Sequence, residues 1–232
     1  MTGTGPLASP PCVAGDDAPA YVDPQGADLA LAAEVARWRR GERERLRALR
    51  SGLTVSQRVA WGQALATHLQ ALFASWPGGV AGRVVSGYWP IMGEADLRGL
   101  FAILQARGTD IALPVVEIRS APLAFRQWQP GQRMLRGHWD IPVPPPEAKT
   151  LIPDISLAPL LGWDSAGFRL GYGGGYFDRT LAALCPRPLV IGIGLQAAGL
   201  ASIRPLPHDV AMDAILTEAG LQVTGPRWPS PS

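Results

Sequence analysis

Along this chain the spacing of apolar positions changes from a helical repeat to strand-length runs. Residues 28–50 mix apolar and charged positions at a helical period, with Arg39, Arg43, Arg47 and Arg50 recurring on one face. Thr54-Val-Ser-Gln57 has the form of a capping box, in which threonine and glutamine each satisfy a free N–H of the first turn. The helix it opens has Val55, Val59, Leu65, Leu69, Leu72 and Phe73 as its apolar positions, and Pro77-Gly78-Gly79 ends it. From residue 83 onward the runs shorten. Residues 83–89, 110–116, 123–128, 155–161, 189–195 and 214–217 read as strands. Residues 97–107 and 176–184 read as helices among them, the first with Asp96 as a candidate cap.

Alternating strands and helices over residues 83–217 predict an α/β fold, a mostly parallel sheet with helices on both faces. One domain, residues 28–224, accounts for the pattern. Residues 1–27 are rich in Gly, Pro, Ala and Asp without any period and are predicted to be disordered; residues 225–232 are predicted to be a flexible tail.

Composition narrows the function classes. Hydrophobic residues make up 47% and charged residues 17%, which suits a globular domain. No apolar run approaches the ~20 residues that span a bilayer, so no membrane partner is expected. A net charge of +2 creates no global field for nucleic acid. Lys149 is the only lysine, which excludes a Walker-type phosphate loop with its Gly-Lys-Ser/Thr triplet. Cys12 and Cys185 sit in unlike contexts and suggest neither a disulfide framework nor a zinc site; a reducing cytoplasm is the expected location.

The candidate chemistry lies in residues 164–179. Gly171, Gly173, Gly174 and Gly175 strip side chains from a short turn between a strand and a helix. Free N–H groups at such a helix start make an anion site, and Arg169 and Arg179 add fixed positive charge. The adjacent glycines do not fit the dinucleotide fingerprint, and no acidic residue stands in strand context about 20 residues on. Hydride transfer is therefore disfavoured. No Gly-x-Ser-x-Gly elbow is present. What remains is phosphoryl chemistry run by positioning and charge neutralisation, with Asp178 and Asp209 as candidate Mg²⁺ ligands. Several residues stay open to more than one reading. The glycine cluster is a phosphate cradle or a tight turn. The arginine face, seven arginines against two glutamates in residues 37–50, is a solvated helix, a wall facing a polyphosphate, or a nucleic-acid helix. Glu94 lines a ligand site at a strand end or favours a helix dipole. Asp209 binds metal or bonds its own turn. Trp139 stacks on a flat ligand or covers the core.

Pro159-Leu-Leu-Gly-Trp-Asp164 followed by Gly167-Phe-Arg-Leu-Gly-Tyr-Gly-Gly-Gly-Tyr-Phe-Asp-Arg179 closely resembles the signature of the 5-formyltetrahydrofolate cyclo-ligase family. Tyr88-Trp-Pro-Ile-Met-Gly-Glu-Ala-Asp96 resembles that family's folate-side loop; Ala112–Val116, Trp139–Pro142 and Leu206–Asp209 follow in the right order. The likeness runs from about residue 39 to 220. It implies a three-layer, NagB/RpiA-like fold and an enzyme that uses ATP and Mg²⁺ to convert 5-formyltetrahydrofolate to 5,10-methenyltetrahydrofolate, with release of ADP and phosphate. By the same likeness, ATP would lie on Arg169, Leu170, Gly171, Tyr172, Gly173, Gly174, Gly175 and Tyr176 and be met by Arg39 and Arg43. Asp178 and Asp209 would hold Mg²⁺. Arg169 and Tyr172 are the candidate catalytic residues, and Trp89, Glu94 and Trp139 the candidate folate contacts. A monomer is expected. The chain departs from the family pattern at Arg39, where a lysine is usual, at Asp140, which stands in a glycine's place, and at Val143, where glutamate is common. A nucleotide-binding relative acting on another substrate, or a non-catalytic regulatory module, is the alternative.

Overall fold

The protein is described by a computed structural model covering residues 29–229. The expected N-terminal extension, Cys12 and residues 230–232 lie outside the described residues. The α-helices among the described residues are α1 (Leu29–Ser51), α2 (Val55–Ala74), α3 (Arg98–Ala106) and α4 (Tyr176–Ala183). The strands are β1 (Val84–Ser86), β2 (Asp110–Val115), β3 (Ala124–Gln127), β4 (Leu135–Arg136), β5 (Pro142–Val143) and β6 (Ile155–Pro159). They continue with β7 (Gly162–Asp164), β8 (Arg169–Leu170), β9 (Leu189–Ile193), β10 (Gly199–Leu200), β11 (Ala214–Thr217) and β12 (Gly220–Thr224).

Seven strands form the main sheet in the order β12-β11-β9-β6-β1-β2-β3. The five inner strands run parallel, and β12 and β3 join antiparallel at the edges. Parallel strands are covered on both faces and so read as continuous apolar runs. Ile155, Leu157 and Ala158 of β6 are buried accordingly, as are Val190, Ile191 and Ile193 of β9. The mostly parallel α/β sheet expected from the sequence is the one observed.

The capping box at Thr54 forms as expected: Thr54 Oγ1 accepts the Gln57 N–H at 3.2 Å, and Gln57 Oε1 accepts the Thr54 N–H at 2.8 Å. Its helix buries Trp61, Leu65, Leu69 and Phe73 along one stripe, with Gly62 beside Trp61. Val55 and Val59 lie off that stripe and are exposed, so the apolar face is narrower than the sequence suggests. At α3, Asp96 Oδ1 accepts the Arg98 N–H at 3.0 Å.

Two features were not anticipated. β7 and β8 pair antiparallel and, with β10, form a small sheet of their own; this sheet, not the main one, delivers the chain to the glycine turn. Residues 225–229 of the expected tail pack down: the Trp228 ring meets Trp76 edge-on at 5.5 Å, and Arg227 Nη2 donates to Arg187 O at 2.9 Å. Among the described residues no helix is long and apolar enough to cross a membrane.

Candidate active site

The site grows from the join between β8 and α4. Gly173 (φ 99°) and Gly175 (φ 63°) hold left-handed backbone that a side chain rarely adopts. Among the described residues no protein acceptor takes the N–H groups of Gly171 to Gly175. The loop is held by its carbonyls instead: Arg43 Nε donates to Gly171 O at 2.8 Å, and Arg179 Nη2 donates to Gly174 O at 2.5 Å. Donors stay open while acceptors are tied, which is the polarity an anion site needs.

Helix α1 lies against this loop with its arginine face inward. A cleft of about 390 Å³ is lined by Ala36, Arg39, Arg40, Arg43, Arg47, Tyr172, Gly173 and Leu206. The face is neither simply solvated nor uniform. Arg39 is buried and ion-paired with Asp209 at 2.5 Å, and it donates to Ile203 O and Arg204 O. Arg43 is half-buried; burial, then Arg39 and Arg47, pull its guanidinium pKa down. Arg169 is buried, pairs with Asp178 at 2.9 Å and donates to Val210 O at 3.1 Å. Asp178 Oδ1 accepts the Val210 N–H at 3.1 Å, so the two pairs are neighbours. Burial pushes the Asp209 carboxyl up, but hydrogen bonds from Arg39 and the Leu206 N–H outweigh it and hold the group below its usual range.

Both candidate metal carboxylates therefore already carry an arginine. No group of three or more His, Cys, Asp or Glu gathers among the described residues. Such a donor set is no cage for a resident ion. It fits a Mg²⁺ that shares one or two carboxylates with a polyphosphate and water.

Tyr172 leaves the glycine loop in the other direction. Its hydroxyl donates to Glu94 Oε1 at 3.0 Å and accepts from Arg50 Nη2. Glu94 Oε2 accepts the Ile91 N–H at 3.0 Å. Glu94 is 8% exposed, so it is no surface residue favouring a helix dipole. Burial pushes its carboxyl up, against the Ile91 N–H, Arg50 and Tyr172. Burial and then the Glu94 charge push the Tyr172 phenol well above its ordinary value.

The two tryptophans part company. Trp139 is 63% exposed and does not cover the core. Its ring lies 5.6 Å from Tyr176 and 4.3 Å from His138, and a Cβ on Gly174 would come within 3.4 Å of it. Both Trp139 (φ 55°) and Asp140 (φ 61°) have left-handed backbone. Aspartate tolerates that region better than most residues, so Asp140 suits this turn. Trp89 is half-buried under Arg98, 4.6 Å over its ring, in a separate cleft with Trp128, Gln132 and Met134. The structure thus brings Arg39, Arg43, Tyr172 and Gly173 to one cleft, joins Glu94 to it through Tyr172, sets Trp139 beside Gly174, and leaves Trp89 apart. Arg50 was the residue missed. Its helical spacing put it on the arginine face, but nothing in the sequence marked it as buried.

The model of the 5-formyltetrahydrofolate cyclo-ligase family matches residues 35–218. The chain belongs to this family. The cyclo-ligase of Mycolicibacterium smegmatis is 34% identical over 146 residues, 60% of this chain and 75% of that protein. The cyclo-ligase of Escherichia coli K12 is 31% identical over 141 residues, 59% and 75% of the two chains. Among solved structures, the 5,10-methenyltetrahydrofolate synthetase of Aquifex aeolicus superposes with a TM-score of 0.68 at 23% identity, covering 83% of this chain and 94% of that one. The likeness supports the fold of this cyclo-ligase family member, an enzyme of the ligase type.

Proposed function

We propose that the protein couples ATP hydrolysis to ring closure of 5-formyltetrahydrofolate, giving 5,10-methenyltetrahydrofolate, ADP and phosphate. The observation that carries this reading is the glycine loop: its open N–H groups border an arginine-lined cleft, and its one bulky side chain reaches a buried carboxylate. The phosphates of ATP would rest on residues 169–176 with Arg43 beside them. Arg39 and Arg169 act chiefly by fixing Asp209 and Asp178. Mg²⁺, held by Asp178 and Asp209 together with the nucleotide, would supply neutralisation of phosphate charge. Glu94 would hold the folate, with Trp139 as the exposed ring nearest the loop. Trp89 would reach the substrate only from its own cleft.

An amide oxygen is a poor leaving group. In the proposed course the formyl oxygen attacks the γ-phosphorus and ADP departs. N10 then closes on the former formyl carbon, its proton passing to the departing phosphate, and the oxygen leaves within inorganic phosphate. The chain's residues align the reactants and stabilise charge where it develops. Tyr172, with its proton committed to Glu94, orients rather than donates.

The test is an absorbance assay for the methenyl product with purified protein, ATP, Mg²⁺ and 5-formyltetrahydrofolate, with ADP measured in parallel. Product and ADP in equal amounts are expected. ADP formed without the folate, or nucleotide binding without product, would overturn the reading.

A further inference from the structure

Arg50 sits in the last turn of α1 and is 3% exposed. Its Nη2 donates to the Tyr172 hydroxyl, and its guanidinium lies 5.5 Å from the Tyr172 ring centroid. Its Nε and Nη1 are buried without an acceptor among the described residues. A buried cation short of hydrogen bonds costs stability. Arg39 and Arg169 each have a carboxylate of their own, whereas Arg50 reaches one only across a phenol. That carboxylate is Glu94.

The charged and titratable groups around Glu94 can be named. Arg50 comes from α1, Tyr172 from the glycine loop and Tyr88 from the loop after β1; Asp96 lies two residues on and acts on Tyr88. Arg58 of α2 approaches the neighbouring Gly93, but its Nη1 donates to Leu53 O at 2.6 Å. Of the cations, Arg50 is the one joined to Glu94 by hydrogen bonds, through the single bridging hydroxyl.

We propose that Arg50 is a positioning residue for folate binding: through the Tyr172 hydroxyl it aims the Glu94 carboxylate and sets a fixed positive charge beside it, so that the carboxylate accepts N–H donors of the bound folate. This rests on the reading of Glu94 as the folate-holding carboxylate. The sign follows from the charges. Burial raises the Glu94 pKa and Arg50 opposes that rise. Without Arg50 the carboxyl protonates at higher pH, and folate affinity fails earlier on acidification.

The experiment is calorimetric binding of 5-formyltetrahydrofolate, without ATP, across the acid-to-neutral range. In Arg50→Met the acid limb of affinity should move up by roughly one to two pH units. Arg50→Lys should bring it most of the way back, and Tyr172→Phe should move it up by less. Glu94→Gln should weaken binding and flatten the limb. If Glu94→Gln binds as tightly as wild type, the folate role of Glu94 falls and the inference with it. If Glu94→Gln behaves as expected but Arg50→Met keeps the wild-type limb, or loses affinity equally at every pH, the inference alone falls. Should Arg50→Met not fold, Tyr172→Phe decides: a limb moved upward supports the bridge, and an unmoved limb overturns it.

Discussion

On the glycine-loop side of Tyr172, each buried arginine has a carboxylate of its own, Arg39 with Asp209 and Arg169 with Asp178. The backbone N–H groups there have no protein acceptor among the described residues. On the other side of the same residue the arrangement is reversed. The Ile91 N–H is taken by Glu94, while the cation, Arg50, lacks acceptors for two of its nitrogens. Where the protein pairs its own charges, recognition falls to the main chain and tolerates little change of backbone. Where it leaves a charge incompletely paired, recognition falls to side chains and becomes sensitive to pH.

The sharpest way to break this contrast is Gly174→Val. A Cβ there would stand 3.0 Å from Tyr176 Cδ2 and 3.4 Å from Trp139 Cη2, so a valine must displace these rings or shift the loop that carries the open amides. Losing two charge-assisted hydrogen bonds, each worth about 1.5 kcal/mol, predicts at least about 100-fold weaker ATP binding by calorimetry. The melting temperature should change little.

Arg39→Met comes next and reads out in stability. It strands Asp209, whose side chain is 10% exposed, and should cost about 3–5 kcal/mol in urea unfolding. Adding Asp209→Asn should restore a large part. The folded pKa of Asp209 lies below its ordinary value, so the pair's contribution is fully present above about pH 4 and fades as pH falls through the folded pKa. The double variant should lose that pH dependence. A single variant as stable as wild type would show that the pair is not what fixes the cleft wall.

Trp139→Ala should be the mildest. The indole is exposed and touches rings rather than core, so removing it should leave the melting temperature unchanged. An aromatic contact worth about 0.5–1.5 kcal/mol predicts a loss of roughly two- to thirteenfold in affinity for one substrate. Separate titrations with ATP and folate would say which side of Tyr172 the ring serves.

The parallel sheet was legible because buried strands such as β9 are unbroken apolar runs. The small β7–β8 pair was not, because Gly162-Trp163-Asp164 and Arg169-Leu170 are too short to show a period. β12 escaped notice at the sheet edge, where Leu221 is 41% exposed and the alternation is weak. At the site, the glycine motif announced itself, since conformational demands are local. The pairing of charges did not: Arg39 and Asp209 are 170 residues apart, and Arg50 and Tyr172 are 122 apart. Helical spacing placed four arginines on one face, but only the fold distinguishes Arg39 and Arg50, which are buried, from Arg47, which is exposed.

Tyr172 lends its peptide backbone to one half of the site and its hydroxyl to the other. A replacement there acts on one half through the lost oxygen and, where the new side chain changes the torsional preference, on the other as well. Engineering that seeks to retune one substrate alone has to begin elsewhere, at residues that do not bridge the two halves.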